Sequence, residues 1–194
     1  ARITALDSVV ISDRKTMKRI KKVKAKNIII ATGSSPIRLQ QAKIQDDYII
    51  DSAAALELDK VPQRLGIVGA GAIGLELGSV WSRLGSEVVL LEAMKDFLPL
   101  TDNKLSNIAK RSLMKQGLNI QLNSRMIEAR VKDKKVHVVY EDKNGEQKEI
   151  FDKLVIAVGR KPNSDRLFGE ELGIEIDERH SIMVNNRCQT SVPH

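Results

Sequence analysis

The sequence predicts an α/β fold in which a Rossmann-like parallel sheet is joined by a β-meander. Residues 65–92 run through a short apolar strand, a glycine-rich turn, a helix and a second apolar strand, as in a βαβ unit. Residues 127–150 instead place Val131, Val136, Val138 and Tyr140 at strand spacing, between turns at 132–134 and 142–145. These two patterns define the fold class.

Gly69, Gly71 and Gly74 form a G-x-G-x-x-G turn after the strand 65–68. In such a turn the first glycine permits the sharp bend, the second lets the backbone approach a pyrophosphate, and the third lets the helix pack closely. The helix extends to about Leu84, and Gly85 follows at the expected C-cap. The start of this helix therefore predicts a phosphate site, with free N–H groups and the positive end of the helix dipole.

Glu92 ends the second strand, 87–91, and lies 23 residues after Gly69. A carboxylate at this position accepts hydrogen bonds from a ribose diol and repels a 2′-phosphate. The pattern favours NAD(H) over NADP(H). The alternative is a glycine turn in an ordinary βαβ unit that binds no nucleotide.

The remaining elements follow from local patterns. Asp51 or Ser52 is predicted to cap one helix, and Asp102 to cap another that ends before Gly117. The strand 153–158 ends at Gly159, at the edge of the sheet where ligands bind. Residues 27–30 are predicted as a buried strand that opens into a small-residue turn at 31–36. The predicted strands are 3–11, 19–30, 118–122 and 153–158, with a turn at 12–15, and the predicted helices are 52–58 and 104–116.

Composition narrows the class of protein. Hydrophobic residues make up 42% and charged residues 29%, as in soluble globular proteins. No apolar run approaches the ~20 residues of a membrane span, and the start shows no signal-peptide pattern. The single cysteine, Cys188, precludes a disulfide within the chain and fits a reducing compartment. No metal site is predicted.

The net charge is +7, and much of it is concentrated near the N-terminal end. Such a cluster favours either a nucleic-acid or acidic partner, or the solvated face of a hairpin. The chain has only three Phe, two Tyr and one Trp, so base-stacking platforms are scarce. We predict a solvated hairpin, with neither nucleic acid nor membrane as a partner. The cluster comprises Lys15, Lys18, Arg19, Lys21, Lys22, Lys24 and Lys26.

Three blocks carry a family resemblance: ATGSSP at 31–36, GAGAIGLELGSVWSRLG at 69–85 and AVGRKPN at 157–163. The sequence resembles the flavoprotein pyridine nucleotide–disulfide oxidoreductases, and within them the dihydrolipoamide dehydrogenase branch. The final RCQTSVPH, 187–194, is similar to the segment that leads into a second flavin-contacting strand.

The resemblance implies a partial FAD-binding domain at 1–55, an NAD-binding domain at 56–162 and a return to the FAD-binding domain at 163–194. It places Met126 beside the adenine and Glu76 near the nicotinamide, although Glu76 is alternatively an exposed helix acid. It assigns no catalytic residue to this chain. The implied flavin contacts are Thr32, Gly33 and Ser34, and the implied NAD contacts are Gly69, Ala70, Gly71, Ala72, Ile73, Gly74, Leu75, Glu76, Glu92, Met126 and Gly159.

Two details select within the family. Relatives that use NADPH usually carry basic residues after the second strand, whereas Ala93 and Met94 follow Glu92 here, ahead of Lys95. Glutathione-reductase-like relatives often place a nicotinamide-gating Tyr at the position of Ala72. Trp81 is predicted to be a core anchor of the helix.

Several parts of the family pattern do not occur in this sequence: the first G-x-G-x-x-G, the C-x-x-x-x-C redox disulfide and the C-terminal domain with its His–Glu pair. His137, His180, His194 and Cys188 match no catalytic position. We therefore expect a central fragment of a longer enzyme, inactive by itself.

For the intact enzyme the resemblance implies that NAD⁺ oxidises dihydrolipoyl groups of 2-oxo acid dehydrogenase complexes through a disulfide and FAD. It also implies a homodimer formed through the C-terminal domain, in the cytoplasm or the mitochondrial matrix. The alternatives are a related flavoprotein disulfide reductase, an NADH oxidase, or a non-enzymatic nucleotide-binding module.

Overall fold

The structure is a computed structural model that describes residues 1–13, 15–42 and 47–193. The chain falls into two units, one made of residues 1–35 and 160–194 and the other of residues 36–159. Arg14 of the predicted 12–15 turn and His194 lie outside the described residues. The assignment of residues 1–55, 56–162 and 163–194 to FAD-binding and NAD-binding domains stays a prediction.

The described part of the chain contains strands, two α-helices and two short 3₁₀ turns. None of its helices has the length and apolar character needed to cross a membrane. The helices are α1 (Ala72–Arg83) and α2 (Asn103–Lys115), and the 3₁₀ turns are Ala54–Leu56 and Glu170–Leu172. The strands are β1 (Arg2–Ala5), β2 (Ser8–Ser12), β3 (Arg19–Lys24), β4 (Ser34–Pro36), β5 (Ile49–Asp51), β6 (Arg64–Val68), β7 (Glu87–Leu91), β8 (Leu118–Gln121), β9 (Arg125–Lys132), β10 (Lys135–Asp142), β11 (Gly145–Phe151), β12 (Lys153–Ile156) and β13 (Arg160–Pro162).

A five-stranded sheet in the order β5-β12-β6-β7-β8 forms the centre of the second unit. All of its neighbouring strands are parallel. Its strands are almost continuously apolar because helices or the meander cover both faces. The predicted Rossmann-like sheet is confirmed.

The two helices of this unit begin and end where local signals placed them, within one residue. The Asp102 side chain accepts hydrogen bonds from the N–H groups of Lys104 and Leu105, at 2.9 and 3.3 Å. Asp51 likewise accepts from Ala53 and Ala54. However, the helix predicted at 52–58 is only the 3₁₀ turn Ala54–Leu56.

The first unit departs further from the predicted elements. The strand predicted at 3–11 is a hairpin, β1 and β2, because the chain turns at Asp7, whose carboxylate accepts from the Ser8 hydroxyl at 2.7 Å. The strand predicted at 19–30 ends at Lys24. Residues 27–30 pair with no strand in the described part of the chain, and Ile29 is 90% exposed. A segment whose backbone groups have no ladder partner does not form a strand, however apolar its sequence.

The predicted turn at 31–36 also differs from the structure. Residues 34–36 form β4, which pairs with β13, an element that was not predicted. Residues 187–193 form no strand among the described residues.

The meander β9-β10-β11 is antiparallel, as predicted. Asp133 and Lys134 both have positive φ, as a two-residue type I′ hairpin turn requires. One core packs the sheet against the helices around Ile67, Leu90 and Trp81. A second core packs the opposite side of the sheet against the meander, and it includes Val89, Leu91, Val136, Val138 and Phe151.

Phe151, at the end of the meander, is fully buried against β6. A Cβ added to Gly66 would lie 2.7 Å from its ring, so the strand needs glycine there. The Arg64 guanidinium lies 5.1 Å from the centroid of the same ring and 2.7 Å from Glu149. Stacked aromatic and cationic groups of this kind stabilise the junction between meander and sheet.

Asp152 connects β11, β12 and β6. Its carboxylate accepts the Arg64 N–H at 2.8 Å and pairs with Lys135, while its own N–H donates to the Arg64 carbonyl at 2.9 Å. Burial raises the pKa of Asp152, but the hydrogen bonds from Lys135 and Arg64 outweigh burial and hold that pKa below its ordinary value.

A lowered carboxyl pKa stabilises the fold above the unfolded-state pKa of about 4, and this stabilisation is lost as pH falls through the lower folded-state pKa. Asp152→Asn should therefore reduce the free energy of unfolding by about 1–2 kcal/mol at pH 7. The difference in the free energy of unfolding between this variant and the unaltered chain should shrink towards about pH 2. Urea unfolding at several pH values measures it. Asp133→Asn, in an exposed turn, is the control, and a difference that is independent of pH would contradict the assignment.

Candidate nucleotide-binding site

The carboxyl ends of β6, β7 and β12 bring together three of the predicted site segments: the glycine turn, Glu92 and the residues up to Gly159. All of them lie in the second unit. The Gly69 N–H donates to the Leu91 carbonyl, and the Ala157 N–H donates to the Val68 carbonyl, both at 2.8 Å. The strand ends are therefore joined directly where the turn begins.

Gly69 makes the bend at the end of β6. Its φ of +101° is in the region that favours glycine, and an added Cβ would lie 2.5 Å from the Ala157 carbonyl oxygen. Both the bend and the close contact with the neighbouring strand end therefore exclude a side chain at this position.

Gly74 sets the distance between α1 and the turn. An added Cβ would lie 2.0 Å from the Gly69 carbonyl oxygen and 3.4 Å from the Ile67 side chain. The predicted close packing of the helix is confirmed, but the shortest approach is to the Gly69 carbonyl in the turn and not to the strand. Gly78, one helical turn later, approaches Ile67, Val88 and Leu118 at 3.4 Å. Its four-residue spacing from Gly74 is a signal of close packing that the sequence analysis missed.

Gly71 is the N-cap of α1, and an added Cβ would meet nothing within 4 Å. Its carbonyl accepts the Leu75 N–H at 3.0 Å, which closes the first helical turn. The first amides of a helix have no intrahelical acceptor. No side chain of the described residues caps them here. This helix start thus offers N–H donors that have neither an intrahelical acceptor nor one from a described side chain, which suits it to an anion.

The Glu92 carboxylate is directed at the same turn. One oxygen accepts the Ala70 N–H at 2.8 Å, and the other accepts the Met94 N–H at 2.9 Å. Each carboxylate oxygen has a second lone pair, so both can still accept hydrogen bonds from hydroxyl groups. The sequence predicted the place of this carboxylate, but its two backbone bonds were not foreseen.

The other predicted NAD contacts have different surroundings. Ala70 and Leu75 are buried, whereas Ala72 and Glu76 are exposed on α1 and Ile73 is half-buried. Met126 is 8% exposed and belongs to the core beneath the meander. Its contact with adenine stays a prediction.

Gly159, the last residue of this unit, is exposed beyond the end of β12. Its carbonyl accepts the Ile37 N–H at 3.0 Å. Its predicted role beside a nucleotide stays a prediction.

The predicted flavin turn, Thr32, Gly33 and Ser34, lies in the first unit and is held by residues that the sequence analysis did not single out. Arg160 donates to the Ser34 hydroxyl at 2.7 Å and to its carbonyl at 2.6 Å. Asn163 donates to the Thr32 and Gly33 carbonyls, each at 3.0 Å. Two of the sequence blocks that carried the resemblance are therefore joined by hydrogen bonds.

The chemically reactive side chains lie elsewhere. His137 is half-buried in the meander, Cys188 is exposed in the first unit, and His180 lies 3.4 Å from Asp165 on an exposed surface. None belongs to the segments at the carboxyl edge of the sheet.

Comparison with known protein families shows whether this βαβ unit belongs to a particular family. The sequence model described as pyridine nucleotide-disulphide oxidoreductase matches residues 2–194. The chain belongs to this family.

Individual relatives and solved structures agree. A dihydrolipoyl dehydrogenase of Cupriavidus necator is 43% identical over 172 residues, which is 88% of this chain and 36% of the relative. A mitochondrial dihydrolipoyl dehydrogenase of Bos taurus is 42% identical over 176 residues, 89% of this chain and 35% of the relative. The HOCl-induced flavoprotein disulfide reductase RclA from Escherichia coli has 29% identity and a TM-score of 0.82, over 98% of this chain and 42% of that structure. The chain thus spans about a third of the length of these curated relatives.

The two glycines at either end of the first helical turn should respond differently to alanine. Gly74→Ala forces a Cβ against the Gly69 carbonyl and should lower the free energy of unfolding by about 2–3 kcal/mol. Gly71→Ala places its Cβ in open space at an ordinary φ and should change it by no more than about 0.5 kcal/mol. Chemical denaturation followed by circular dichroism measures both, and equal losses would contradict this packing.

Proposed function

We propose that this chain is the NAD(H)-binding portion of a flavin-dependent dihydrolipoyl dehydrogenase. The observation that carries the proposal is the uncapped start of α1 behind Gly71, with the Glu92 carboxylate directed at the same turn. The similarity to dihydrolipoyl dehydrogenases from a bacterium and a mammal supports the choice of reaction.

The glycine turn fits a pyrophosphate. The bare Cα of Gly71 lets phosphate oxygens approach the backbone, and the amides of Ala72, Ile73 and Gly74 supply donors. The twelve residues of α1 add the positive end of a helix dipole. No acidic side chain in the first turn of α1 opposes this charge.

Glu92 fits the adenosine ribose. Its oxygens already accept N–H groups of Ala70 and Met94, so the carboxylate is held in one orientation before any ligand binds. Its remaining lone pairs would accept the two ribose hydroxyls, and its negative charge would repel a 2′-phosphate. We therefore propose NAD(H), and not NADP(H), as the ligand.

The rest of the ligand is assigned by family resemblance. Met126 would flank the adenine, while Glu76 and Gly159 would lie towards the nicotinamide. Once bound, the nicotinamide supplies hydride chemistry, and the residues of this chain bind and orient it. Ala70, Ile73 and Leu75 would act through the backbone or the packing of the turn.

For the whole protein we propose FAD as the second cofactor, with Thr32, Gly33 and Ser34 contributing to its domain. An added Cβ at Gly33 would meet nothing within 4 Å, so the backbone of this turn is open to close approach. We assign residues 1–55 and 163–194 to the FAD-binding domain and 56–162 to the NAD-binding domain. Dihydrolipoyl groups of 2-oxo acid dehydrogenase complexes would be the substrates of a homodimer, in the bacterial cytoplasm or the mitochondrial matrix.

A second candidate is another flavoprotein disulfide reductase, supported by the likeness to the Escherichia coli HOCl-induced enzyme. The same nucleotide site would serve both activities. The substrate of the whole protein then distinguishes them, because only the first reaction requires a dihydrolipoyl group.

Nucleotide titration of the 194-residue chain, by calorimetry or by NADH fluorescence, tests the proposed site. NADH should bind at least about tenfold more tightly than NADPH. Glu92→Gln removes the negative charge that accepts the N–H groups of the turn and would accept the ribose hydroxyls. It should weaken NADH binding about tenfold or more. Glu141→Gln, on the exposed end of β10, is the matched control and should change nothing. A preference for NADPH, or an equal loss in both variants, would contradict the site.

The same preparation addresses turnover. A redox disulfide needs two sulfurs, and this chain has one cysteine. We expect no NADH production from dihydrolipoamide and NAD⁺ by the chain alone. Turnover above the blank would overturn this part of the proposal and leave the binding site intact.

A further inference from the structure

The antiparallel sheet β1-β2-β3 carries a concentrated positive charge along its last strand. The sequence has no Asp or Glu between Asp13 and Asp46, while Arg19, Lys21, Lys22 and Lys24 all lie in β3. Further cations precede and follow the strand, at Lys15, Lys18 and Lys26.

Nearby carboxylates neutralise little of this charge. Of the cations named here, Lys24 alone has a described carboxylate within 4.0 Å, that of Asp7 at 3.6 Å, and both side chains are largely exposed. The Asp13 carboxylate is directed at backbone, and it accepts the Lys15 and Thr16 N–H groups at 2.9 and 2.7 Å. The strand therefore presents unscreened positive charge to solvent.

β3 is also the edge of its sheet in the described residues, because the strand order ends there. An edge strand presents a row of backbone N–H and C=O groups that can pair with another extended chain. Lysines on such an edge repel an identical basic edge and so disfavour pairing between two copies. The same lysines attract an extended chain of opposite charge.

Apolar side chains accompany the cations. Ile20 is 66% exposed at an irregularity in the β2–β3 register, and Met17 in the preceding turn is 75% exposed. A surface that serves only solubility gains nothing from these groups. Beside a paired strand, they offer contacts to apolar side chains of the incoming chain.

We propose that the β3 edge binds an extended, acidic polypeptide segment that adds a fourth strand to this sheet. Backbone pairing would provide the hydrogen bonds, and the lysines would select acidic side chains. A nucleic acid cannot pair with a strand edge in this way, and residues 1–47 contain no aromatic side chain on which bases would stack.

Fluorescence anisotropy with the 194-residue chain tests the proposal directly. The probe is a labelled peptide of about eight residues that alternates Glu and Val, a length typical of a strand. The comparison peptides alternate Lys and Val, or carry Pro at the centre of the Glu–Val sequence. The Glu–Val peptide should bind, and both comparison peptides should not. Raising salt from about 50 to 300 mM should weaken binding.

Charge reversal locates the surface. Lys21→Glu/Lys22→Glu should weaken the binding of the Glu–Val peptide at least about tenfold. Lys132→Glu/Lys143→Glu in the meander makes the same change in net charge and should alter the affinity less than about twofold. If the first variant melts early by circular dichroism, Lys21→Gln/Lys22→Gln replaces it, and a loss of about threefold or more is expected. Amide hydrogen exchange should slow in residues 19–24 when the peptide binds.

Several results would overturn the proposal: no binding of the Glu–Val peptide, equal losses in the β3 and meander variants, or slowed exchange elsewhere but not in residues 19–24. Tighter binding of a 20-base-pair DNA duplex than of the peptide would also overturn it and assign the surface to nucleic acid. None of these outcomes bears on nucleotide binding at the glycine turn.

Discussion

The contact between Gly74 and the Gly69 carbonyl is the constraint on which the candidate site depends. Because no Cβ lies between them, α1 begins directly against the end of β6. The first amides of α1 follow directly with no cap from a described side chain, and the Glu92 carboxylate accepts the Ala70 N–H between the glycines. The close approach of α1 to β6 therefore also creates the proposed anion site. A larger residue at Gly69 or Gly74 would disturb the helix packing and the anion site together.

The meander supports this arrangement from the opposite face of the sheet. Its last strand ends at Phe151, which covers Gly66, and continues through Asp152 into β12. The residue after β12, Ala157, in turn contacts Gly69. Two buried cores thus hold the three strand ends that present the site. Because β6, β7 and β12 are packed on both faces, the strand ends that carry the turn are held in place by the two cores.

Sequence reasoning succeeded where the signal is local. Apolar strands, the glycine turn and the Asp102 cap each depend on a few consecutive residues, and the structure has them within a residue or two. It failed where a partner decides the outcome. Residues 27–30 are apolar enough for a strand but have no described neighbour to pair with. The bonds of Glu92 to the Ala70 N–H, and of Arg160 to Ser34, join segments that are distant in sequence. No periodicity or spacing encodes such contacts.

The anion site at the start of α1 can be tested by following the backbone amides by NMR while NADH is added to the chain. We expect saturable shifts that are largest for Ala72, Ile73 and Gly74, with a smaller change at Ala70 as Glu92 takes up the ribose hydroxyls. Inorganic pyrophosphate should shift the first three amides and leave Ala70 unchanged. Saturable binding of NADH with no change at the start of α1 would show that the pyrophosphate does not bind there.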